Sequence, residues 1–216
     1  MITIMINALP FIWEGLLVTL HLSVLAVVIA LALGLVLGVA IVYGPRWVYW
    51  PIRLYSDILR GLPTPVLIFA VYYLLPVIGW NINNFVAAVV ALSTFEAARV
   101  LEITRGAIQS IHPGQTDAGK AIGLTFTRRM IYVIFPQAVR RFLPPWINSV
   151  VDTVKGSSLA SFLGIVELTL GIQQVIGRTF EPMPLYILGI IIYFAINFTL
   201  SSASRRLEAR FSYIRE

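Results

Sequence analysis

The sequence predicts an all-α, polytopic membrane protein with about five transmembrane helices, and three observations predict it. Hydrophobic residues make up 58% of the 216-residue chain and charged residues only 12%, too little charge for a soluble domain of this size. The apolar residues come in long runs rather than in one stripe per helix, as spans in hydrocarbon require. Arginine and lysine gather in alternate connections between those runs, the distribution that sets orientation in a membrane. Residues 1–216 read as a single transmembrane domain.

The first span is Gly15–Val42, unbroken by charge and with His21 as its only titratable group. At about 1.5 Å per residue it can cross a core of about 30 Å with tilt. It is far longer than the apolar core of a signal peptide and has no basic segment before it, so it reads as retained. Gly34 and Gly38 within it form a GxxxG spacing that lets another helix approach closely. The second span, Leu62–Trp80, is entered through "RGLPTP" and left through Pro76 and Gly79. The third, Phe85–Ile103, contains Glu96, Arg99 and Glu102. The fourth, Leu143–Gly164, contains Asp152 and Lys155 and a break at Gly156–Ser158. The fifth, Leu185–Ser202, is free of charge, and Val166–Glu181 before it reads as a partly helical segment at the external interface.

No arginine or lysine precedes Gly15 or lies in 81–84, whereas Arg46, Arg53 and Arg60 lie between the first two spans. The segment from about 104 to 142 holds Arg105, Lys120, Arg128, Arg129, Arg140 and Arg141, and the C-terminal tail adds Arg205, Arg206, Arg210 and Arg215. Only Arg178 falls on the opposite side. The expected orientation is N-terminus outside and C-terminus in the cytoplasm.

The 104–142 segment carries the most punctuated stretch of the chain, "DAGKAIGLTFTRRMIYVIFPQA" (117–138). Asp117–Ile122 can form a short helix with Thr116 as N-cap and Asp117 near the positive end of its dipole. Gly123 can take the positive φ that ends a helix. Thr125 can cap a second helix, Phe126–Ile134, whose Phe126, Met130, Val133 and Ile134 share one face, with Pro136 halting the run. The residues alone leave two readings: an amphipathic hairpin lying on lipid or packed under the bundle, or a docking surface for a soluble partner.

The spacing of this stretch resembles the EAA loop of ABC importer permeases: an acid-Ala-small triplet (Asp117, Ala118, Gly119), then Gly123, then Val133, Phe135 and Pro136. The segments "EITRGAIQSIHPGQTDAGKAIGLT", "FPQAVRRFLPPWIN", "VKGSSLASFLGIVELT", "GLLVTLHLS" and "RGLPTP" are similar to the polar amino-acid branch of that family, which serves histidine, glutamine, glutamate, arginine and opines. The resemblance implies a type I ABC importer permease fold in a bacterial cytoplasmic membrane. It implies an ATPase homodimer seated on Asp117, Ala118, Gly119 and Gly123, with Pro136 closing the coupling segment. It also implies a second permease, copy or paralogue, and an external binding protein that Asn81–Asn84 and Val166–Glu181 would meet. The cargo would be a small polar amino acid or opine. ATP and magnesium would be bound by the partner, so this chain needs no cofactor or metal and is no enzyme. Two substitutions depart from the usual triplet: Asp117 for glutamate, which keeps the charge, and Gly119 for alanine, which keeps the small size.

Each ionised side chain near a helix centre costs about 2.5–3.5 kcal/mol, so Glu96, Arg99, Asp152 and Lys155 would cost roughly 10 kcal/mol together if unpaired. Both acid-base pairs have i, i+3 spacing, so each can neutralise itself on one helix face. Alternatively they line a polar cavity for a zwitterion, whose ammonium seeks a carboxylate and whose carboxylate seeks a guanidinium. The resemblance places the substrate path between spans three and four, where these residues sit. Trp146, Ser149 and Asp152 follow at three-residue steps and are expected to line it. Against the family pattern, Arg99 replaces a tyrosine, Glu96 a small residue, and Gly156 an acid; this argues mildly against a purely cationic substrate. Glu102 and Arg105 match the family's E-x-x-RG and read as structural, with Arg60 and Lys155 as structural or gating positions.

The sequence has no GxxxxGK[ST] to cradle nucleotide phosphates. His21 and His112 stand in no metal-binding pattern, and no nucleophile elbow is present. Basic residues beside aromatics in "RRMIYVIF" are explained by membrane-edge charge without nucleic acid. The rival reading is an ion-coupled secondary transporter or channel in which Glu96 and Asp152 relay protons.

Overall fold

A computed structural model describes residues 2–211, with side chains from 5 to 209. The side chain of Arg210 and all of Arg215, counted above in the basic tail, lie outside the described residues. All the described secondary structure is helical: α1 (Ile2–Tyr43), α2 (Arg46–Gly61), α3 (Thr64–Val77), α4 (Asn84–Gln109), α5 (Pro113–Ala121) and α6 (Phe126–Arg129). A π-helical turn (Met130–Ile134) leads into α7 (Phe135–Gly156), a 3₁₀ turn (Ser157–Leu163), α8 (Leu168–Thr179) and α9 (Pro182–Phe211).

The glycine pair of the first span packs on α4, as the GxxxG spacing requires. A methyl group at Gly34 would stand 2.5 Å from Cβ of Val100, and one at Gly38 would stand 2.7 Å from Cγ2 of Thr104. The two backbones therefore approach as closely as small residues allow. α4 is the central helix, buried along Ala88, Ala91, Leu92, Ala97, Val100 and Leu101. α1 and α3 close one side of it through Leu22, Ala26 and Ile68.

The first helix begins at Ile2, not at Gly15, because the residues before Gly15 are apolar and have a surface to bury against. Ala8 and Ile12 pack with Leu168, Ile172 and Leu185 of α8 and α9. α9 likewise extends past Ser202, where the fifth span was expected to end. The expected 104–142 loop is mostly helix, from the end of α4 to the first turns of α7. By length and composition Met5–Tyr43 and Pro182–Ala209 can each cross a membrane. The total reaches four if the bent pairs α2–α3 (112°) and Phe126–Leu163 with α8 (52°) each count as one span. α4, the expected third span, is not among these four.

Glu167 ties the α1–α8–α9 corner together. It is fully buried and caps α8 by accepting from the backbone N–H groups of Thr169 and Leu170, both at 2.9 Å. The Tyr193 hydroxyl lies 3.2 Å from Oε2 and the Thr19 hydroxyl 3.4 Å. Thr19 in turn accepts from the Leu168 N–H at 3.0 Å. Glu167→Ala is expected to destabilise the fold by about 1–3 kcal/mol, the cost of stranding buried donors. Thermal unfolding in detergent measures it; an unchanged midpoint would show that the corner holds without the carboxylate.

Candidate functional site

Two regions gather the polar side chains, a cavity within the bundle and the α5–π segment at its basic end. The cavity measures about 360 Å³ and lies where α2, α3, α4 and α7 meet; Arg60, Thr64, Phe95, Glu96, Arg99, Asp152 and Thr153 contribute to its lining. Phe95, Glu96 and Arg99 come from one face of α4 at helical spacing. A larger groove, about 560 Å³, between α1, α7 and α9 is lined almost wholly by aliphatic side chains, without an ionisable group.

The four charged residues expected within the third and fourth spans do not form two self-contained pairs. Arg99 does lie 3.7 Å from Glu96, and Lys155 lies 2.8 Å from Asp152. Its tightest contact, however, crosses from α4 to α7, with Nη2 of Arg99 2.7 Å from Oδ2 of Asp152. Sequence spacing alone sees only partners on one helix, so it could not find this bridge. Arg99 also lies over the ring of Phe95, 5.9 Å from its centroid.

Glu96 is only 2% exposed. Its Oε1 accepts from the Ser149 hydroxyl, and Oε2 has no hydrogen-bond partner. Its nearest cation is Nη1 of Arg99 at 3.7 Å, an ion pair beyond hydrogen-bond length, so the buried oxygen keeps an acceptor capacity that a ligand ammonium would satisfy.

The face expected to line the cavity does so only at Asp152. Ser149 is turned inward to Glu96, and Trp146 is stacked on Phe142, ring centroids 5.9 Å apart, inside an apolar cluster with Val100 and Ala107. Three-residue steps drift around a helix of 3.6 residues per turn, which separates Trp146 from Asp152. Thr153 and Gly156 complete the α7 wall instead. The sequence reading passed over Thr64, Phe95 and Thr153. The bend after "RGLP" brings Thr64 in, and helical spacing from Glu96 and Arg99 could have found Phe95.

Beside the cavity, Glu102 anchors α2 to α4. Its Oε2 lies 2.6 Å from Arg105, and Oε1 accepts from Ser56 at 3.0 Å, with Arg60 and Arg53 at 3.6 and 3.7 Å. Glu102 and Arg105 thus pair within α4, while Arg60 reaches both this cluster and the cavity.

At the basic end, α5 starts earlier than expected. His112, not Thr116, is its N-cap, accepting from the Gly114 N–H at 3.0 Å. Pro113 suits the first helical position, where no N–H is needed, and Asp117 consequently lies mid-helix, paired with Lys120 at 3.1 Å. α5 ends as expected: Gly123 has φ +76°, and Leu124 and Gly123 donate to Gly119 and Lys120 at 3.0 and 2.9 Å, a Schellman closure. Thr125 caps α6 by accepting from the Arg128 N–H.

Pro136 does not halt the helix. It sits in the first turn of α7, where its missing N–H costs nothing, after a π turn has reset the register. The apolar face packs under the bundle: Ile134, Met130 and Val133 lie with Ile108, Ile111 and Ala138. Asp117, Ala118 and Gly123 are exposed, whereas Gly119 is buried beneath the Arg129 stem.

The family of binding-protein-dependent transport system inner membrane components matches residues 30–213. The probable glutamine ABC transporter permease of Bacillus subtilis is 33% identical over 210 residues, 94% of each chain. The glutamine transport system permease of Escherichia coli K12 is 36% identical over 206 residues, again 94% of each. An arginine transport system permease of B. subtilis is 32% identical, covering 95% of this chain and 94% of that one. Among solved structures, an amino acid ABC transporter with histidines superposes with a TM-score of 0.89 at 32% identity, covering 95% of this chain and 96% of that one. The MetNI methionine ABC transporter, with a TM-score of 0.73 at 20% identity over 91% of this chain and 96% of that one, shares the fold.

Proposed function

Because this chain belongs to the family of binding-protein-dependent transport inner-membrane components and is the permease subunit of a polar amino-acid ABC importer, we propose that its cargo passes through the Glu96–Arg99–Asp152 cavity. The importer's ATP is hydrolysed by a separate subunit, so the permease itself is not an enzyme. One observation carries the cavity assignment: Oε2 of Glu96, a residue of the cavity lining, is a buried acceptor that lacks a hydrogen-bond donor, its Arg99 ion-pair partner lying 3.7 Å away. An amino-acid ammonium supplies that donor.

The exposed Asp117 and Ala118 of α5, with Gly123 in the turn after it, form the surface on which an ATPase dimer seats; Gly119 leaves room for the Arg129 stem packed against it. α5 is joined by the short turn at Gly123 to α6, which runs through the π turn into α7, so movement of the docked ATPase reaches Asp152 through that helix and shifts the cavity between its two orientations. A second permease, copy or paralogue, and an external binding protein complete the importer in a bacterial cytoplasmic membrane, with the N-terminus outside. Magnesium and ATP belong to the ATPase. The relatives give the ion-coupled alternative no support.

The test is binding of radiolabelled polar amino acids and opines to the purified permease–ATPase complex, wild type against Glu96→Gln. Weakening by roughly 10-fold or more, the loss of one charge-assisted contact, is expected. Equal affinity in the variant would remove Glu96 from the site.

A further inference from the structure

Four charged residues line the cavity, Glu96 and Asp152 against Arg60 and Arg99, so its wall is neutral before cargo arrives. Outside the cavity, Arg53 of α2 and Arg105 of α4 hold Asp57 and Glu102. Arg53 is 2.8 Å from Asp57. Glu102 is held by Arg105 at 2.6 Å and by Ser56 at 3.0 Å. Arg60 is the member left over: its contact with Glu102 is 3.6 Å, beyond hydrogen-bond length, and it lines the cavity.

Arg99 was the guanidinium the sequence offered to a carboxylate, but it is committed to Asp152 at 2.7 Å. Next to Arg60 on the cavity wall is Thr64, whose hydroxyl has no hydrogen-bond partner among the described residues. Thr64 also opens α3, which no side chain caps; Pro65 has no N–H and those of Val66 and Leu67 donate to the Pro63 carbonyl, so the Thr64 N–H and the positive end of the helix add to the same sign.

We propose that Arg60 and Thr64 form a carboxylate subsite in this cavity, and that the cavity takes amino acids with a free carboxylate and no net positive charge. The inference rests on the reading of the cavity as the cargo site and adds its selectivity. The cargo's ammonium lies on Glu96 and its carboxylate on Arg60 and Thr64. A dibasic amino acid brings a second cation to a wall whose two carboxylates are already matched by its two guanidiniums. Arg60 therefore sets specificity, and its contact with Glu102 holds the empty arm in place.

The experiment measures binding of radiolabelled L-glutamine, L-glutamate, L-histidine and L-arginine to the permease–ATPase complex without any binding protein, so that only this cavity discriminates. L-Glutaminamide, which keeps the ammonium but lacks the carboxylate, is the competitor. The wild type is expected to bind at least one of the first three more tightly than arginine, with glutaminamide at least about 10-fold weaker than glutamine or glutamate. Arg60→Gln should weaken the amino acids by roughly 10- to 100-fold and remove the penalty for the amide. Arg60→Lys should restore much of the binding, and Arg53→Gln, which touches Glu102 but not the cavity, should change neither.

Glutaminamide bound as tightly as the acids by the wild type, arginine bound most tightly, or Arg60→Gln without effect would each overturn the subsite. The first two readouts need no variant, and Thr64→Val, expected to weaken the acids alone, provides a second variant should Arg60→Gln fail to assemble. A wild type that binds none of the four overturns the cargo reading and the subsite with it.

Discussion

Gly38→Leu is expected to abolish the folded permease or lower its stability by about 3 kcal/mol or more, the upper end of overpacking costs. The helix pair it splits is the centre of the fold. At Gly38 even a methyl group would stand 2.7 Å from Cγ2 of Thr104 and 3.0 Å from the carbonyl oxygen of Leu101. Four residues earlier, Gly34 meets Val100 just as closely, so α1 cannot slide to relieve the clash. In a bilayer such packing stabilises helix association directly, because burying apolar surface out of lipid gains little. Val36→Leu, on a face that is 68% exposed, is the control and should be silent. Unfolding midpoints of the two variants in detergent decide the matter: equal midpoints would mean that the α1–α4 seam is not tight.

Ala118→Trp is expected to leave the permease folded and to cut its association with the ATPase by at least about 100-fold, the effect of blocking the centre of an interface. Ala118 is exposed on α5, so the indole disturbs nothing within this chain. Gly123 is a poorer probe, since its φ of +76° makes any side chain strained and confounds docking with folding. Co-purification of the two subunits after size-exclusion chromatography reads the result. A tryptophan variant that still brings the ATPase down with wild-type stoichiometry would move the docking surface away from α5.

The features legible in the sequence were those set by local chemistry. The GxxxG seam, the positive φ of Gly123, the Thr125 cap and the break of the α-helix at Gly156 each follow from residues within one or two turns. What stayed hidden depended on where one element meets another. The Arg99–Asp152 bridge joins residues 53 apart, and no spacing rule reports it. Trp146 was assigned to the cavity by its position on α7, yet Phe142 and Val100 offered a better apolar partner. Pro136 looked like a terminator because a proline inside a helix breaks it. The π turn before it turns that position into a beginning.

Arg60 shows the same limit from the other side. The sequence marks it as one basic residue in "RGLPTP" at a membrane edge. Only the 112° bend between α2 and α3 carries it, with Thr64, onto the cavity. The charge count then becomes readable, because Glu102 is already held by Arg105 and Ser56.

The central claim is that this chain moves an amino acid through the Glu96–Arg99–Asp152 cavity with energy delivered by a separate ATPase at α5. Amino-acid uptake into proteoliposomes carrying the permease, binding protein and ATPase, with ATP supplied on the ATPase side, tests it most directly. The account predicts uptake that requires both ATP and the ATPase and that is lost in Ala118→Trp. Uptake by the permease alone, driven by a proton or sodium gradient, would contradict it.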